Sequence, residues 1–237
     1  MNVTYHENES RGLADHGWLL SRHTFSFANY YDPKRINFGL LRVLNDDIVE
    51  PTMGFATHPH DNMEIISIPL SGSLRHQDNM GNKHIISTGE VQIMSAGKGL
   101  THSEYNNSSS EDVNFLQIWV LPKERNITPR YDQKIFDAGD RKNRFQLVVS
   151  PQASEETVWI NQDAWFSLAD IDAGQQIVYE KKNAENGVYF FLIEGDATAD
   201  GHVFHRRDGL GLADGEIYSV KAKTNTQLLA IEVPLTD

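Results

Sequence analysis

Two short histidine motifs in the first half of the chain could together bind a metal ion. The chain reads His58-Pro59-His60 at the first motif and His102-Ser103-Glu104 at the second. Residues i and i+2 of a β-strand project to the same face, so each motif would present two donor groups together. If the two strands are neighbours, three imidazoles and one carboxylate converge, a set that suits Fe(II), Mn(II), Ni(II), Cu(II) or Zn(II).

The residues around these motifs favour a site at this point. Pro59 cannot donate a hydrogen bond to a neighbouring strand, which predicts that its strand lies at the edge of a sheet. Gly97 and Gly99 allow a close backbone approach just before His102. Chance occurrence is the alternative for either motif taken singly, because such histidine pairs also occur without a metal.

The segments that must position these residues are short, apolar and rich in β-branched and aromatic side chains. Clusters of Gly, Asn, Asp and Ser separate them, as at residues 79–82. This pattern predicts a mostly β fold. The apolar segments are residues 38–43, 63–70, 91–94, 115–121, 145–149, 188–193 and 227–233.

Three short blocks recur in the same order in both halves, which predicts two related β-domains joined between Arg130 and Arg144. Chance similarity between short β segments is the alternative. On this alignment the second copy is 14 residues shorter, lacks the stretch around His102 and has Lys181 in place of His58. We therefore expect metal ligands in the first copy only. The matched blocks are residues 70–72 and 193–195, 89–93 and 215–219, and 116–122 and 228–234.

Charge and composition exclude several classes of function. The 237 residues include 21 basic and 33 acidic side chains, for a net charge of −12, which argues against direct binding to nucleic acid or to an acidic membrane surface. With no cysteine, the chain has no disulfide, thiolate nucleophile or iron–sulfur cluster. Residues 1–12 are polar and no apolar run approaches the roughly 20 residues of a membrane span, so we expect a cytoplasmic protein.

The motifs also resemble a known family. Residues 54–72, with His58, His60 and Glu64, look like the first cupin motif, and residues 89–106 are similar to the second. Within the cupins, the chain resembles the pirin family in particular. The matching segments lie close together from about residue 10 to residue 135, and the resemblance is weaker from there to the end. The segments that carry this resemblance are residues 16–18, 23–33, 58–60, 63–65, 76–78, 80–82, 94–99 and 102–106.

This resemblance implies an all-β bicupin, with two β-barrels of the double-stranded β-helix or jelly-roll type in tandem. We expect an N-terminal metal-binding domain at residues 1–136 and a C-terminal domain without ligands at residues 137–237. The resemblance implies one divalent metal ion per chain, usually iron, held by His58, His60, His102 and Glu104. In other cupins the carboxylate ligand comes from the first motif, which here would be Glu64, whereas the pirin pattern uses Glu104. If Glu64 is not a ligand, we expect it to be hydrogen-bonded near the barrel wall.

For function, the resemblance implies a quercetin 2,3-dioxygenase, which uses O2 to cleave the heterocyclic ring of a flavonol and releases carbon monoxide. The metal would lower the pKa of the substrate's 3-hydroxyl, and Glu104 would also be the catalytic residue that accepts the proton. The alternative is a metal-dependent regulator that binds a transcription factor or a metabolic enzyme, which requires a protein partner. A third hypothesis is another cupin reaction on a different small molecule. We expect a monomer.

Six further histidines are predicted to have no role as ligands. His16 and His23 are expected to order the N-terminal segment against the barrel. The others are expected to be surface or hydrogen-bonding residues, namely His76, His84, His202 and His205.

Two further groups of residues have competing interpretations. The acidic segment Asn45-Asp46-Asp47 lacks a calcium-binding pattern and is predicted to be a solvated loop. Several aromatic residues could either form an aryl-binding wall or belong to the core. They are Phe25, Phe27, Tyr30, Tyr31 and Phe38.

Overall fold

The computed structural model describes residues 3–236, which form 22 β-strands and two short 3₁₀ helices at Asn8–Ser10 and Ala138–Arg141. The described residues contain no α-helix, so none of their helices could cross a membrane. The strands are β1 (Val3–His6), β2 (Gly12–Asp15), β3 (Leu19–His23), β4 (Leu41–Val49), β5 (Gly54–His60), β6 (Glu64–Ser71), β7 (Ser73–Asp78), β8 (Lys83–Ser87), β9 (Glu90–Ser95), β10 (Leu100–Asn106), β11 (Val113–Val120), β12 (Arg130–Ile135), β13 (Gln146–Ser150), β14 (Val158–Trp159), β15 (Trp165–Ile171), β16 (Gln176–Glu180), β17 (Asn186–Glu194), β18 (Asp196–Ala199), β19 (His202–His205), β20 (Gly209–Leu212), β21 (Ile217–Ala222) and β22 (Thr226–Pro234).

The strands form four sheets, two in each half of the molecule. The N-terminal unit has a seven-stranded sheet in the order β12-β9-β6-β11-β4-β3-β2 and a four-stranded sheet in the order β5-β10-β7-β8. The C-terminal unit has the seven-stranded order β1-β20-β17-β22-β15-β13-β14 and the four-stranded order β16-β21-β18-β19. The predicted all-β fold is therefore confirmed. The boundary at residues 136 and 137 stays a prediction, and β1 pairs with β20 of the C-terminal unit.

Three apolar layers hold these sheets together. The largest lies between the two seven-stranded sheets, where Ile66 and Leu116 of one unit join the same cluster as Phe191 and Leu229 of the other. A second core lies inside the C-terminal unit, and smaller clusters lie inside the N-terminal unit. Because β17 and β22 are covered on both faces, much of each strand is a continuous apolar run.

The order of strands shows how the two units correspond, and it corrects the sequence alignment. In the N-terminal unit β6 lies between β9 and β11, and in the C-terminal unit β17 lies between β20 and β22. The strands β6, β9 and β11 therefore correspond to β17, β20 and β22, in that order. Strand β21 is then the counterpart of β10, not of β9 as the alignment of residues 215–219 with 89–93 implied.

The second copy therefore does not lack the strand that carries His102. Tyr218 pairs with Tyr179 in the C-terminal unit, whereas His102 pairs with His58 in the N-terminal unit. Both tyrosines are buried in the core of the C-terminal unit, together with Val220 of β21. In the C-terminal unit, bulky apolar side chains fill this part of the barrel.

Candidate metal centre

Three histidine side chains meet where β5 and β10 pair. His58 and His60 lie two residues apart on β5, and the antiparallel register places His102 of β10 opposite His58. The ring centroids of His58 and His102 are 4.5 Å apart, and those of His60 and His102 are 4.9 Å apart. One ring nitrogen of each histidine lies within 4.8 Å of the others. As Pro59 predicts, β5 is an edge strand, and among the described strands it pairs only with β10.

Glu104 lies next to this group, on the inner side of β10. The register between β10 and β5 shifts between His102 and Glu104, and Glu104 stands opposite His76 of β7. Ligand atoms of Glu104, His102 and His76 lie within 4.8 Å of one another, and all three residues are buried. His102 therefore belongs to both groups and connects the two outer histidines to the carboxylate.

Two side chains from the seven-stranded sheet hold Glu104 in place. The Ser67 hydroxyl donates to Oε1 at 3.1 Å, and Gln117 Nε2 donates to Oε2 at 3.4 Å. Glu104 is fully buried, and this burial raises the pKa of its carboxyl group. The carboxylate is thus positioned by both neighbouring strands of the central sheet.

This donor set fits a divalent transition-metal ion. Both ring nitrogens of His102 are buried without a hydrogen-bond partner among the described residues. Burial lowers the pKa of His60 and of His102 to about 3, which keeps both imidazoles in the neutral form that binds metals. His58 Nδ1 lies 2.8 Å from the Ala56 carbonyl, so Nε2 is left for an ion.

Glu64, the alternative carboxylate of the first cupin motif, points away from the histidines. Its Oε2 accepts hydrogen bonds from the Ser95 hydroxyl at 2.7 Å and from the backbone N–H of Asn161 at 3.1 Å. Asn161 belongs to the C-terminal unit, and Ile66, two residues further along β6, lies in the core between the units. Glu64 therefore lies at the interface between the units.

A cavity of about 560 Å³ opens beside His58 and His60. The Trp119 ring lies 5.0 Å from the His60 ring and 5.2 Å from the Phe27 ring, both edge-to-face. Trp18 and Phe55 also line this cavity, and their rings are 5.5 Å apart. The site therefore combines metal donors with a pocket whose walls are largely aromatic.

Only part of the predicted aromatic wall lies at this cavity. Phe27 lines it, whereas Phe25 and Phe38 belong to the core between the units and Tyr31 is 73% exposed. The sequence analysis missed Trp18, Phe55 and Trp119. The signal for Trp119 is its place in β11, on the strand face that also carries Gln117.

The prediction that residues 45–47 form a solvated loop is wrong. They lie in the middle of β4, and Asn45 and Asp47 are buried side chains that line the cavity. Asp46 points to the opposite face, where Arg207 Nη1 donates to its Oδ1 at 2.9 Å. A central strand covered on both faces can carry polar side chains when each finds a partner or a cavity.

His76 is one of the histidines predicted to be surface or hydrogen-bonding residues. It is completely buried beside His102, and its Nε2 lies 3.3 Å from Asp78 Oδ2, so it is a hydrogen-bonding residue and does not lie at the surface. The alternating burial along β7, with Leu74, His76 and Asp78 inward, is the signal that could have placed it.

His23 is buried and lines the cavity. His84 and His205 are exposed; His84 stacks on Tyr131, and His205 Nδ1 lies 2.7 Å from Asp196 Oδ1.

Comparisons with known proteins agree with this architecture. Residues 5–120 match the Pirin family model, and residues 147–233 match the model of the quercetinase C-terminal cupin domain. The chain is 45% identical over 228 residues to quercetin 2,3-dioxygenase of Escherichia coli strain K12, covering 94% of this chain and 95% of the relative. It is 39% identical to a pirin-like protein of Caulobacter vibrioides, covering 93% and 95%.

Solved structures extend the similarity to the whole fold, and one of them contains a bound metal ion. The crystal structure of YhhW from E. coli superposes with a TM-score of 0.94 at 43% identity and covers 98% of both chains. The structure of the bacterial pirin YhhW in complex with nickel(II) gives a TM-score of 0.92 at 42% identity, covering 98% of this chain and 99% of that one. With two cupin domains, a cluster of metal donors and this identity along nearly its whole length, the chain belongs to the pirin family.

Proposed function

We propose that this protein is a metal-dependent dioxygenase that cleaves the heterocyclic ring of flavonols such as quercetin with O2 and releases carbon monoxide. The observation that carries this proposal is the aromatic cavity that opens directly beside His58 and His60. A relative named quercetin 2,3-dioxygenase at 45% identity supports the same reaction. The substrates would be a flavonol and O2.

The proposed metal ligands are His58, His60, His102 and Glu104, and the proposed ion is Fe(II). A bound ion would supply Lewis acidity toward the 3-hydroxyl group of the substrate. The ligand set also accommodates other divalent ions of the first transition row. The E. coli structure in complex with nickel(II) supports the binding of a divalent ion.

The chain's own residues would bind and orient the flavonol. Trp18, Phe27, Phe55 and Trp119 give the planar rings apolar surfaces and edge-to-face contacts, and they exclude water from the reacting edge. Ser21, Asn45 and Asp47 line the cavity with polar groups suited to ring hydroxyls. This combination favours a flat, hydroxylated aromatic molecule over an aliphatic one.

The predicted role of Glu104 as proton acceptor is a separate part of the proposal. Both of its carboxylate oxygens already accept hydrogen bonds, from Ser67 and Gln117. Coordination to a cation would further lower its affinity for a proton. The position of Glu104 beside His102 supports a role as ligand. As a base, it would have to break the hydrogen bonds from Ser67 and Gln117.

The test is aerobic consumption of quercetin with detection of carbon monoxide. Apoprotein is reconstituted separately with Fe(II), Mn(II), Ni(II), Cu(II) and Zn(II), and His102→Ala is the control that should lose the metal. Metal-dependent turnover with carbon monoxide release, lost in His102→Ala, is the expected result and would identify the competent ion. Stoichiometric metal binding without turnover for every ion would overturn the proposal and direct the search to a regulatory protein partner.

A further inference from the structure

Several buried carboxylates lie near the three histidines, but among the described residues only one faces the cavity. Among the described residues that line the cavity, Asp47 is the single carboxylate, and Glu104 is not part of this lining. Glu104 lies behind the histidines, fully buried, with His76 and His102 as its neighbours. A molecule bound in the cavity therefore meets Asp47 directly.

The strands around Asp47 fix its position. On β4 it stands opposite Ser21 of β3 and Phe115 of β11, and its residue is only 2% exposed. The Ser21 hydroxyl donates to Oδ1, and this is the carboxylate's one hydrogen bond within residues 3–236. The second oxygen, Oδ2, is left to accept a hydrogen bond from a molecule in the cavity.

The surroundings of Asp47 also suit proton transfer. The Arg207 guanidinium pairs with the adjacent Asp46 on the other face of the sheet and forms no ion pair with Asp47. Burial raises the pKa of Asp47 to about 7, with the negative charges of Asp46 and Glu104 acting in the same direction and the Ser21 hydrogen bond opposing them. A carboxylate with these properties can take up and release a proton near neutral pH.

We infer that Asp47 is the general base of the proposed reaction and accepts the proton of the flavonol hydroxyl that the metal binds. This inference rests on the proposed function. The O–H bond of the substrate breaks, its electron pair stays on the substrate oxygen, and a new O–H bond forms at Asp47 Oδ2. Asp47 releases the proton to solvent when the product leaves, and no electrons are transferred in this step. Glu104 is then needed only as a metal ligand.

The central test is Asp47→Asn, which keeps the size of the side chain and removes its basicity. Quercetin is added without oxygen to the metal-loaded protein, and its absorption spectrum shows whether it is bound as the neutral flavonol or as its anion. We expect wild-type protein to bind the anion and Asp47→Asn to bind the neutral form. Turnover under air should fall at least about 100-fold.

The chain offers a matched control in Asp46→Asn. The chemical change is the same and the strand is the same, but the Asp46 side chain lies on the opposite face of the sheet. Asp46→Asn should bind the flavonol anion as wild-type protein does. In a second variant, Asp47→Ala, added formate should restore part of the turnover, because a small carboxylate can occupy the space of the missing one. Metal content and circular dichroism establish that each variant is folded and loaded.

The outcomes separate this inference from the proposed function. If wild-type protein turns over quercetin while Asp47→Asn binds the anion and keeps its rate, Asp47 is not the base. The same conclusion follows if metal-loaded Glu104→Gln binds the neutral flavonol while Asp47→Asn binds the anion. If wild-type protein consumes no quercetin with any metal, the proposed function itself fails.

Discussion

Glu64 of the N-terminal unit accepts a hydrogen bond from the backbone N–H of Asn161 in the C-terminal unit, at 3.1 Å. The side chain is fully buried, and burial raises the pKa of its carboxyl group to about 7, against the weaker opposing effects of the Ser95 and Asn161 hydrogen bonds and the Arg130 charge. Between about pH 4.5 and pH 7, Glu64 therefore carries a proton in the folded protein. In the unfolded chain, where its pKa is the ordinary 4.5, it has released that proton. The resulting stabilisation is complete below about pH 4.5 and is lost as the pH rises through about 7.

The first prediction is that Glu64→Gln removes this pH dependence. A pKa change from 4.5 to about 7 corresponds to about 3 kcal/mol, so at pH 8 the variant should be more stable than wild-type protein by up to that amount. At pH 4, below the unfolded-state pKa of 4.5, the two proteins should be nearly equal. Urea denaturation at both pH values measures the difference, with Glu216→Gln at an exposed position as control. A wild-type pH profile in Glu64→Gln would show that Glu64 is ionised in the folded protein.

The second prediction concerns the support of Glu104. Ser67→Ala removes the hydroxyl that donates to Glu104 Oε1, so the carboxylate is no longer fixed beside His102. Loss of such a contact typically weakens metal binding 10-fold to 100-fold. Competition with a chelator for Ni(II) measures the change. Ser71→Ala, on the same strand but exposed, should bind Ni(II) as wild-type protein does, and equal affinities for all three proteins would contradict the role of Ser67.

Local features of the site could be predicted from sequence, since they depend only on strand geometry. His58 and His60 share a face because they are two residues apart, and Pro59 marks an edge strand because it lacks an N–H. The pairing between strands could not be predicted to the same precision. The alignment matched Leu116 with Leu228, yet Leu116 lies in the core between the units and Leu228 in the core of the C-terminal unit. A shift of one residue reverses the faces of a strand.

Buried polar residues were the other source of error. Asp47 and His76 resemble surface residues by type, and their burial depends on partners that are distant in the sequence: Ser21 for Asp47, and the neighbours His102 and Glu104 for His76. Such partners become apparent only when the register of several strands is known. The buried polar residues around the metal donors, such as Asp47 and His76, were therefore the least predictable part of the site.

The third prediction tests the aromatic wall. Trp119→Ala removes the ring that contacts both His60 and Phe27, so a flavonol loses a stacking surface beside the metal donors. Anaerobic binding of quercetin should weaken at least about 10-fold, by the loss of roughly 1.5 kcal/mol of aromatic contact. Ni(II) affinity should stay within about 3-fold of wild-type protein, since Trp119 is not among the grouped donors. Tyr31→Ala, at an exposed position, is the control, and unchanged quercetin affinity in Trp119→Ala would place the substrate elsewhere.

The last prediction separates the roles of the proposed ligands. His102 belongs to both groups of donors, so His102→Ala should lose the metal, and His58→Ala should bind it more weakly because one imidazole of the outer group is removed. Glu104→Gln keeps all three imidazoles and should retain much of the metal, yet lose turnover because the donor set no longer carries the negative charge of the carboxylate. Metal content measured for each purified variant, together with carbon monoxide release, checks these outcomes. Wild-type turnover in Glu104→Gln would contradict a role for this carboxylate as an essential ligand, and full metal content in His102→Ala would place the ion outside this cluster.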